Sequence, residues 1–243
     1  MGPATQVWAH RGASGYAPEN TLPAFELALE QGADGVEFDV QLSSDGTPVV
    51  IHDETLGRTT DGTGRVVDHT LAELQLLDAS NGMPEYAGTG LPTMDEVLDL
   101  LAPAELRINI ELKNSEEPYP GLEQKVLAAV RERGLAGRVV LSSFSDDSVQ
   151  RLHEFAPDLE LATLYTRPEL RPWRTARRLG ARAIHPPAAL VLGRPWVYRA
   201  HALGLAVRPW IVNSEAQLAR MFRWRVDAVF TDTPDVALTL RDG

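Results

Sequence analysis

His10 and Arg11 stand side by side, Glu37 and Asp39 are two apart in Val-Glu-Phe-Asp-Val, and Glu111 is two before Lys113 in Ile-Glu-Leu-Lys. In an extended strand, residues two apart point to one face. Glu37 and Asp39 therefore share a face, with Val36, Phe38 and Val40 opposite. Arg107, Asn109, Glu111 and Lys113 repeat the logic against Ile108, Ile110 and Leu112. Carboxylates buried together are costly unless they share protons or a cation. The chain has no cysteine, so oxygen and histidine are the metal ligands on offer. Three carboxylates suit Ca²⁺ or Mg²⁺ best, with Mn²⁺ also accommodated. An internal ion pair of Glu111 with Lys113 or Arg107 explains the second run equally well when that run is taken alone. His10 and His52 each end an apolar run. A lone histidine is more often structural than catalytic. Two of them beside Arg11 and an oxygen-rich cation site suit phosphoryl transfer, in which cation and guanidinium neutralise phosphate while imidazoles pass protons.

That chemistry needs elements that bring the residues together. The chain repeats a rhythm of short apolar strand, loop and amphipathic helix. The expected strands are 6–9, 35–40, 48–51, 107–112, 139–141, 161–165, 183–185, 205–212 and 228–230. Thr70 with Glu73, Thr93 with Glu96 and Ser214 with Gln217 predict capping boxes, and Asn20 or Thr21 predicts the N-cap of a helix starting at Leu22. Alternating strands and helices imply a parallel sheet with right-handed crossovers. Residues 41–47 are too short for a crossover helix, and Asp45-Gly46 signals a hairpin. Pro48–Ile51 is thus the return arm of a hairpin on the second strand, and eight strands remain for a (β/α)8 TIM barrel. Pairing Leu42 near Thr47 would bring Glu37 close to His52. Residues from about 53 to 91 fit no strand–helix unit and are expected to lie over the barrel mouth. His185 ends a strand and is expected to line that mouth in a secondary role. His69, His153 and His201 are expected at the surface.

The 243 residues, 44% of them hydrophobic, allow one large domain spanning 1–243. The net charge of −11 argues against a nucleic-acid surface, which needs a basic footprint. No apolar run approaches the ~20 residues of a membrane span. The first ten residues lack the basic start and apolar core of a signal peptide, so a cytoplasmic protein is expected. Two lysines against 21 arginines make Lys113 conspicuous.

These pieces carry a resemblance. AHRG at 9–12, PENT at 18–21, VEFDV at 36–40, DGTPVVIHDETLGRTTDGTG at 45–64, LPTMDEVL at 91–98, IELK at 110–113, SSF at 142–144, HP at 185–186, PWIVN at 209–213 and FTDTPD at 230–235 together resemble the glycerophosphodiester phosphodiesterases, among the phospholipase C-like TIM-barrel phosphodiesterases. The resemblance implies a distorted barrel with the hairpin and insertion above it. It implies a divalent metal on Glu37, Asp39 and Glu111, acid/base roles for His10 and His52, and phosphate contacts from Arg11 and Lys113. It implies Trp210 near the substrate alcohol, and Glu19 and Asn20 as loop and site support. Ile211, where the family often has Thr, and Thr233, where an aromatic is common, depart from the pattern outside the chemical core. The implied reaction is hydrolysis of a small-molecule glycerophosphodiester, such as glycerophosphocholine or glycerophosphoethanolamine, to sn-glycerol 3-phosphate and an alcohol. A lysophospholipase D-type or phospholipase C-type enzyme acting on lipids is the alternative. A non-catalytic binding barrel fits less well, because every core position is present. Such barrels often pair, so a homodimer stays open, but no apolar stripe names its interface.

Overall fold

The computed structural model describes residues 4–169 and 171–243, so Met1 to Pro3 of the expected domain and leader reading lie outside the described residues. Nine strands form one sheet among the described residues: β1 (Gln6–His10), β2 (Gly35–Leu42), β3 (Pro48–Val50), β4 (Arg107–Leu112), β5 (Val139–Ser143), β6 (Glu160–Leu164), β7 (Ala183–His185), β8 (Ala206–Val207) and β9 (Ala228–Thr231). Eight run parallel in the order β8-β7-β6-β5-β4-β2-β1-β9, and β3 pairs antiparallel with β2. Backbone bonds from Asp227 to Val207 and from Phe230 to Pro209 join the last two strands and nearly close the barrel. Each parallel strand is followed by an outer helix, from Leu22–Glu30 after β1 to Pro234–Asp242 after β9. This is the expected (β/α)8 barrel.

Alternation sorts the strands into two cores. Val36, Phe38, Ile108, Ile110 and Leu141 face the helices in the large outer layer. Trp8, Val140, Ala162, Ala183, Ala228 and Phe230 fill the barrel interior, where Trp8 and Phe230 meet edge-on with centroids 5.4 Å apart. Burying each large side chain stabilises the fold by about 1.5–3 kcal/mol. The insertion has a separate small core of Val49, Ile51, Leu56, Val66, Leu74, Ala79 and Leu91, so it is a packed unit with its own helical turns.

Three local expectations are corrected. The segment 205–212 is strand only at Ala206–Val207, because Pro209 has no N–H to give a ladder. The hairpin register is one residue away from the expected one: Leu42 pairs with Pro48 and Ser43 bonds Thr47. Gly46 at φ +79° closes a three-residue loop with its left-handed residue, a turn that fixes this register. Thr21 takes the N-cap position, but its hydroxyl donates to the Pro18 carbonyl and accepts no N–H from the helix. Thr70 and Thr93 do form complete capping boxes. Ser214 accepts from the Gln217 backbone.

Candidate active site

Strand register assembles the site. His10 stands beside Glu37 on neighbouring strands, and Asp39 beside Glu111. Carboxylate oxygens of Glu37, Asp39 and Glu111 lie within 4.8 Å of one another, all buried. Burial, then Asp39 and Glu111, pushes the Glu37 carboxyl well above its ordinary value. Burial and then Asp39 push Glu111 up to about 7, with Lys113 and Arg11 opposing. Burial would raise Asp39 too, but Arg11, His52, Lys113 and Asn20 outweigh it and hold Asp39 low. Glu111 Oε1 is 3.2 Å from Lys113 Nζ yet has no well-directed hydrogen bond. Two reluctant carboxylates and a buried oxygen without a donor fit a hard cation held between all three. The ion pair between Glu111 and Lys113 is also present, so the two readings of that strand coexist.

Arg11 follows His10 where β1 ends. Its backbone sits at φ +56°, an uncommon conformation for a side-chain-bearing residue. It is held there by its N–H on Glu37 Oε2 at 3.0 Å and by its carbonyl accepting from Asn20. Gly12 turns the chain away at φ +82°, where a Cβ would lie 2.6 Å from the Ala24 backbone. The Arg11 guanidinium reaches Glu19 at 2.7 Å and Asp39 at 3.3 Å. Asn20 donates to Asp39 Oδ2 at 2.9 Å. Asn20 therefore serves the carboxylate cluster and not the helix cap.

Both histidines have a carboxylate behind them. His10 Nδ1 lies 2.8 Å from Asp232 Oδ1, and His52 Nδ1 lies 2.6 Å from Asp53 Oδ1. Nδ1 must carry the proton in each pair, which leaves Nε2 as the working nitrogen. His52 Nε2 is 3.2 Å from Lys113 Nζ, so it accepts and the ring is neutral. Burial, with Arg11 and Lys113, lowers the affinity of His52 for a second proton despite Asp39 and Asp53. The observed register carries His52 to Lys113 and the field of Asp39, with Glu37 on the same cavity lining.

One cavity of about 520 Å³ is lined by His10, Arg11, Glu37, His52, Glu111, Lys113 and Trp210, among others. Asp39, Glu19 and Asn20 stand behind this lining. Trp210 donates its indole N–H to the His185 carbonyl and meets Phe144 edge-on. His185 does line the cavity; it is fully buried, and burial followed by Arg208 holds it neutral. His201 is at the surface, as expected, and pairs there with Asp227 at the opposite end of the barrel. Asp53, Arg58 and Asp232 lie inside recognisable motifs whose sequence alone assigns them no role; for Asp53 and Asp232 the signal is adjacency to His52 and to the end of the last strand.

The family model for the glycerophosphoryl diester phosphodiesterase family matches residues 10–236. A glycerophosphodiester phosphodiesterase of Caldanaerobacter subterraneus is 40% identical over 237 residues, covering 97% of each chain. One from Bacillus altitudinis is 42% identical over 241 residues, covering 98% of each. The solved structure of an Oleispira antarctica phosphodiesterase in complex with the product sn-glycerol-3-phosphate superposes with a TM-score of 0.87 at 33% identity, covering 99% of this chain and 98% of that one. A match that spans residues 10–236, with relatives at 40% identity or more along nearly their full lengths, means that the chain belongs to the glycerophosphoryl diester phosphodiesterase family of enzymes.

Proposed function

We propose that this enzyme hydrolyses water-soluble glycerophosphodiesters, such as glycerophosphocholine or glycerophosphoethanolamine, to sn-glycerol 3-phosphate and an alcohol, and that it needs a divalent cation. The observation that carries the reading is the convergence of His10, His52, Arg11, Lys113 and the three-carboxylate group on one cavity. Glu37, Asp39 and Glu111 would hold the cation, Ca²⁺ or Mg²⁺ by the hardness of the donors. Bound there, it supplies positive charge to a phosphate oxygen.

The chain's own groups supply the remainder. Arg11 and Lys113 face the phosphate and take up charge as it grows in the transition state. Asp39 and Glu19 fix the Arg11 fork, and Glu111 and His52 fix the Lys113 ammonium. His52, neutral and accepting at Nε2 from Lys113, is suited to take the proton of the attacking oxygen once the Lys113 ammonium turns to the phosphate. His10, held at Nδ1 by Asp232, then acts as the imidazolium and gives its Nε2 proton to the leaving alkoxide. Trp210 and Phe144 wall the cavity on the side where the alcohol portion would lie. The charge of −11 disfavours approach to anionic membranes, and no helix among the described residues is long and apolar enough to cross one.

The test is release of glycerol 3-phosphate from glycerophosphocholine, with and without EDTA, then with Ca²⁺, Mg²⁺ or Mn²⁺ restored, beside His10→Ala. Activity lost to chelation, restored by one cation and absent from the variant is the expected result. Undiminished activity in exhaustively chelated enzyme would remove the cation from the proposal. Absence of activity on all small diesters would sink the substrate assignment.

A further inference from the structure

Arg58 lies in the insertion, at the end of a helical turn (Leu56–Arg58) whose Leu56 is buried in the insertion's own core. Its side chain is 43% exposed, and no part of the chemistry above uses it. Yet its guanidinium makes two complete forks. Nε and Nη2 donate to the two Asp53 oxygens at 2.6 and 3.0 Å. Nη1 and Nη2 donate to the two Glu19 oxygens at 2.7 and 2.8 Å. Asp53 is the carboxylate behind His52, and Glu19 is the carboxylate behind Arg11.

We propose that Arg58 is a positioning residue that holds the proton-transfer group His52 and the phosphate-binding group Arg11 in one fixed relation. The consequence for catalysis rests on the proposed roles of those two residues. His52 enters the site from the hairpin and Arg11 from the end of β1, two segments that no shared strand pairing joins at this point. Asp53 and Glu19 would repel one another across the gap. One guanidinium satisfies both, and its planar fork fixes angle as well as distance. The insertion's core sets where Leu56 sits, and so where the fork sits. The insertion is in this way built into the geometry of the site, and is not only a cover over it. Arg58 is also the largest influence keeping Asp53 ionised, which keeps the His52 proton on Nδ1.

The experiment uses Arg58→Ala and Arg58→Lys in the full chain, with three readouts: kcat/KM for glycerophosphocholine, thermal unfolding, and the ring ¹⁵N–¹H spectrum of His52, assigned through His52→Gln. Displacing reacting groups by about 1 Å costs on the order of 10²-fold in rate, and a loss of that order is expected for Arg58→Ala. Arg58→Lys should recover little of it, because a point charge cannot make two forks. Unfolding should shift by no more than about 2–4 °C, since exposed ion pairs stabilise little. The His52 spectrum should change from one ring tautomer to a mixture. Combining Arg58→Ala with Asp53→Asn should cost far less than the product of the single losses. Either of two results overturns the proposal: kcat/KM within about threefold of the unaltered enzyme, or activity lost only in proportion to folded protein with the His52 signals unmoved. The spectrum separates this inference from the substrate assignment. A tautomer mixture in Arg58→Ala with no turnover by any form of the enzyme would retain the positioning role and discard the substrate.

Discussion

The two ends of the barrel both carry buried charge, and they treat it in opposite ways. At the N-terminal ends of the strands, Glu160 accepts from both Arg107 and Arg208, and Arg208 lies 4.8 Å over the Trp8 ring. Asp227 takes His201 and the Val207 N–H. Each of these two carboxylates has its donors, and burial does not raise Glu160, because Arg208 and Arg107 outweigh it. At the C-terminal ends, three carboxylates share Arg11 and Lys113, and two of the three are pushed up. The cavities are alike in size, about 550 Å³ at the floor and about 520 Å³ at the mouth. Volume therefore does not mark the functional end. Charge left without full compensation distinguishes the mouth, because assembling it costs free energy that shared protons or a bound cation would offset.

The largest effect that should separate the ends is in turnover. His52→Ala and His10→Ala are each expected to lower kcat by about 10²–10⁴-fold, the usual yield of a positioned acid or base. Neither imidazole belongs to a hydrophobic core, so thermal unfolding should move little. His201→Ala, at the floor, should leave kcat unchanged. Steady-state kinetics on the three variants checks this. A floor variant as impaired as the mouth variants would break the distinction.

Much of the mouth was legible because strands have a period of two. Glu37 with Asp39, and Glu111 with Lys113, could only be co-facial if their strands formed, and the intervening Val, Phe and Ile residues made those strands plain. The eight-strand count followed from one loop too short for a helix. The unread parts depend on partners distant in sequence. Asp232 backs His10 across 222 positions, and Arg58 meets Glu19 across 39. No local pattern encodes either meeting, although both residues sat in recognisable motifs. The hairpin register turned on whether Gly46 closes a three- or four-residue loop, a choice of one left-handed residue. Strand β8 was overread because apolar content alone marks Leu205–Val212, while Pro209 ends the ladder.

A second contrast is expected in stability. Glu160→Ala removes the carboxylate that Arg107 and Arg208 share and leaves Arg208, 7% exposed, buried without that counter-charge. Breaking a buried pair from one side costs roughly 3–5 kcal/mol. Urea unfolding should show that loss, while kcat per folded molecule stays at the level of the unaltered enzyme. The double variant Glu160→Gln with Arg208→Met should be less destabilised than Glu160→Ala, because no deeply buried charge is left unpaired and only the partly exposed Arg107 loses its partner. If Glu160→Ala were as stable as the starting protein, the floor could not be described as a closed ion-pair network. If its kcat fell while stability held, the floor would have a catalytic connection, and His185, which contacts both Arg208 and the mouth cavity, would be the route to examine.

The smallest effect is also the most diagnostic, because its sign is opposite at the two ends. Glu111 is pushed up to about 7 from an ordinary 4.5 by burial and Asp39. Between those two pH values the cation-free native protein keeps a proton that the unfolded chain has already released. Stability from this group must then fall as pH rises through the window, since the native state binds the more protons. Glu111→Gln has no such proton to lose. In EDTA, its unfolding temperature relative to that of the unaltered protein should climb between pH 4.5 and about 7, with each ~1 kcal/mol appearing as about 2–4 °C. Adding millimolar Ca²⁺ or Mg²⁺ should reverse the order, because a cation that binds only the native triad stabilises it by mass action, and the glutamine variant has lost one ligand. At Glu160, held below its ordinary value by its arginines, the pH dependence runs the other way: its contribution is present above the ordinary carboxylate range and is lost on acidification. A flat difference between Glu111→Gln and the unaltered protein across the window would mean that Lys113 already neutralises Glu111, and the mouth would then resemble the floor.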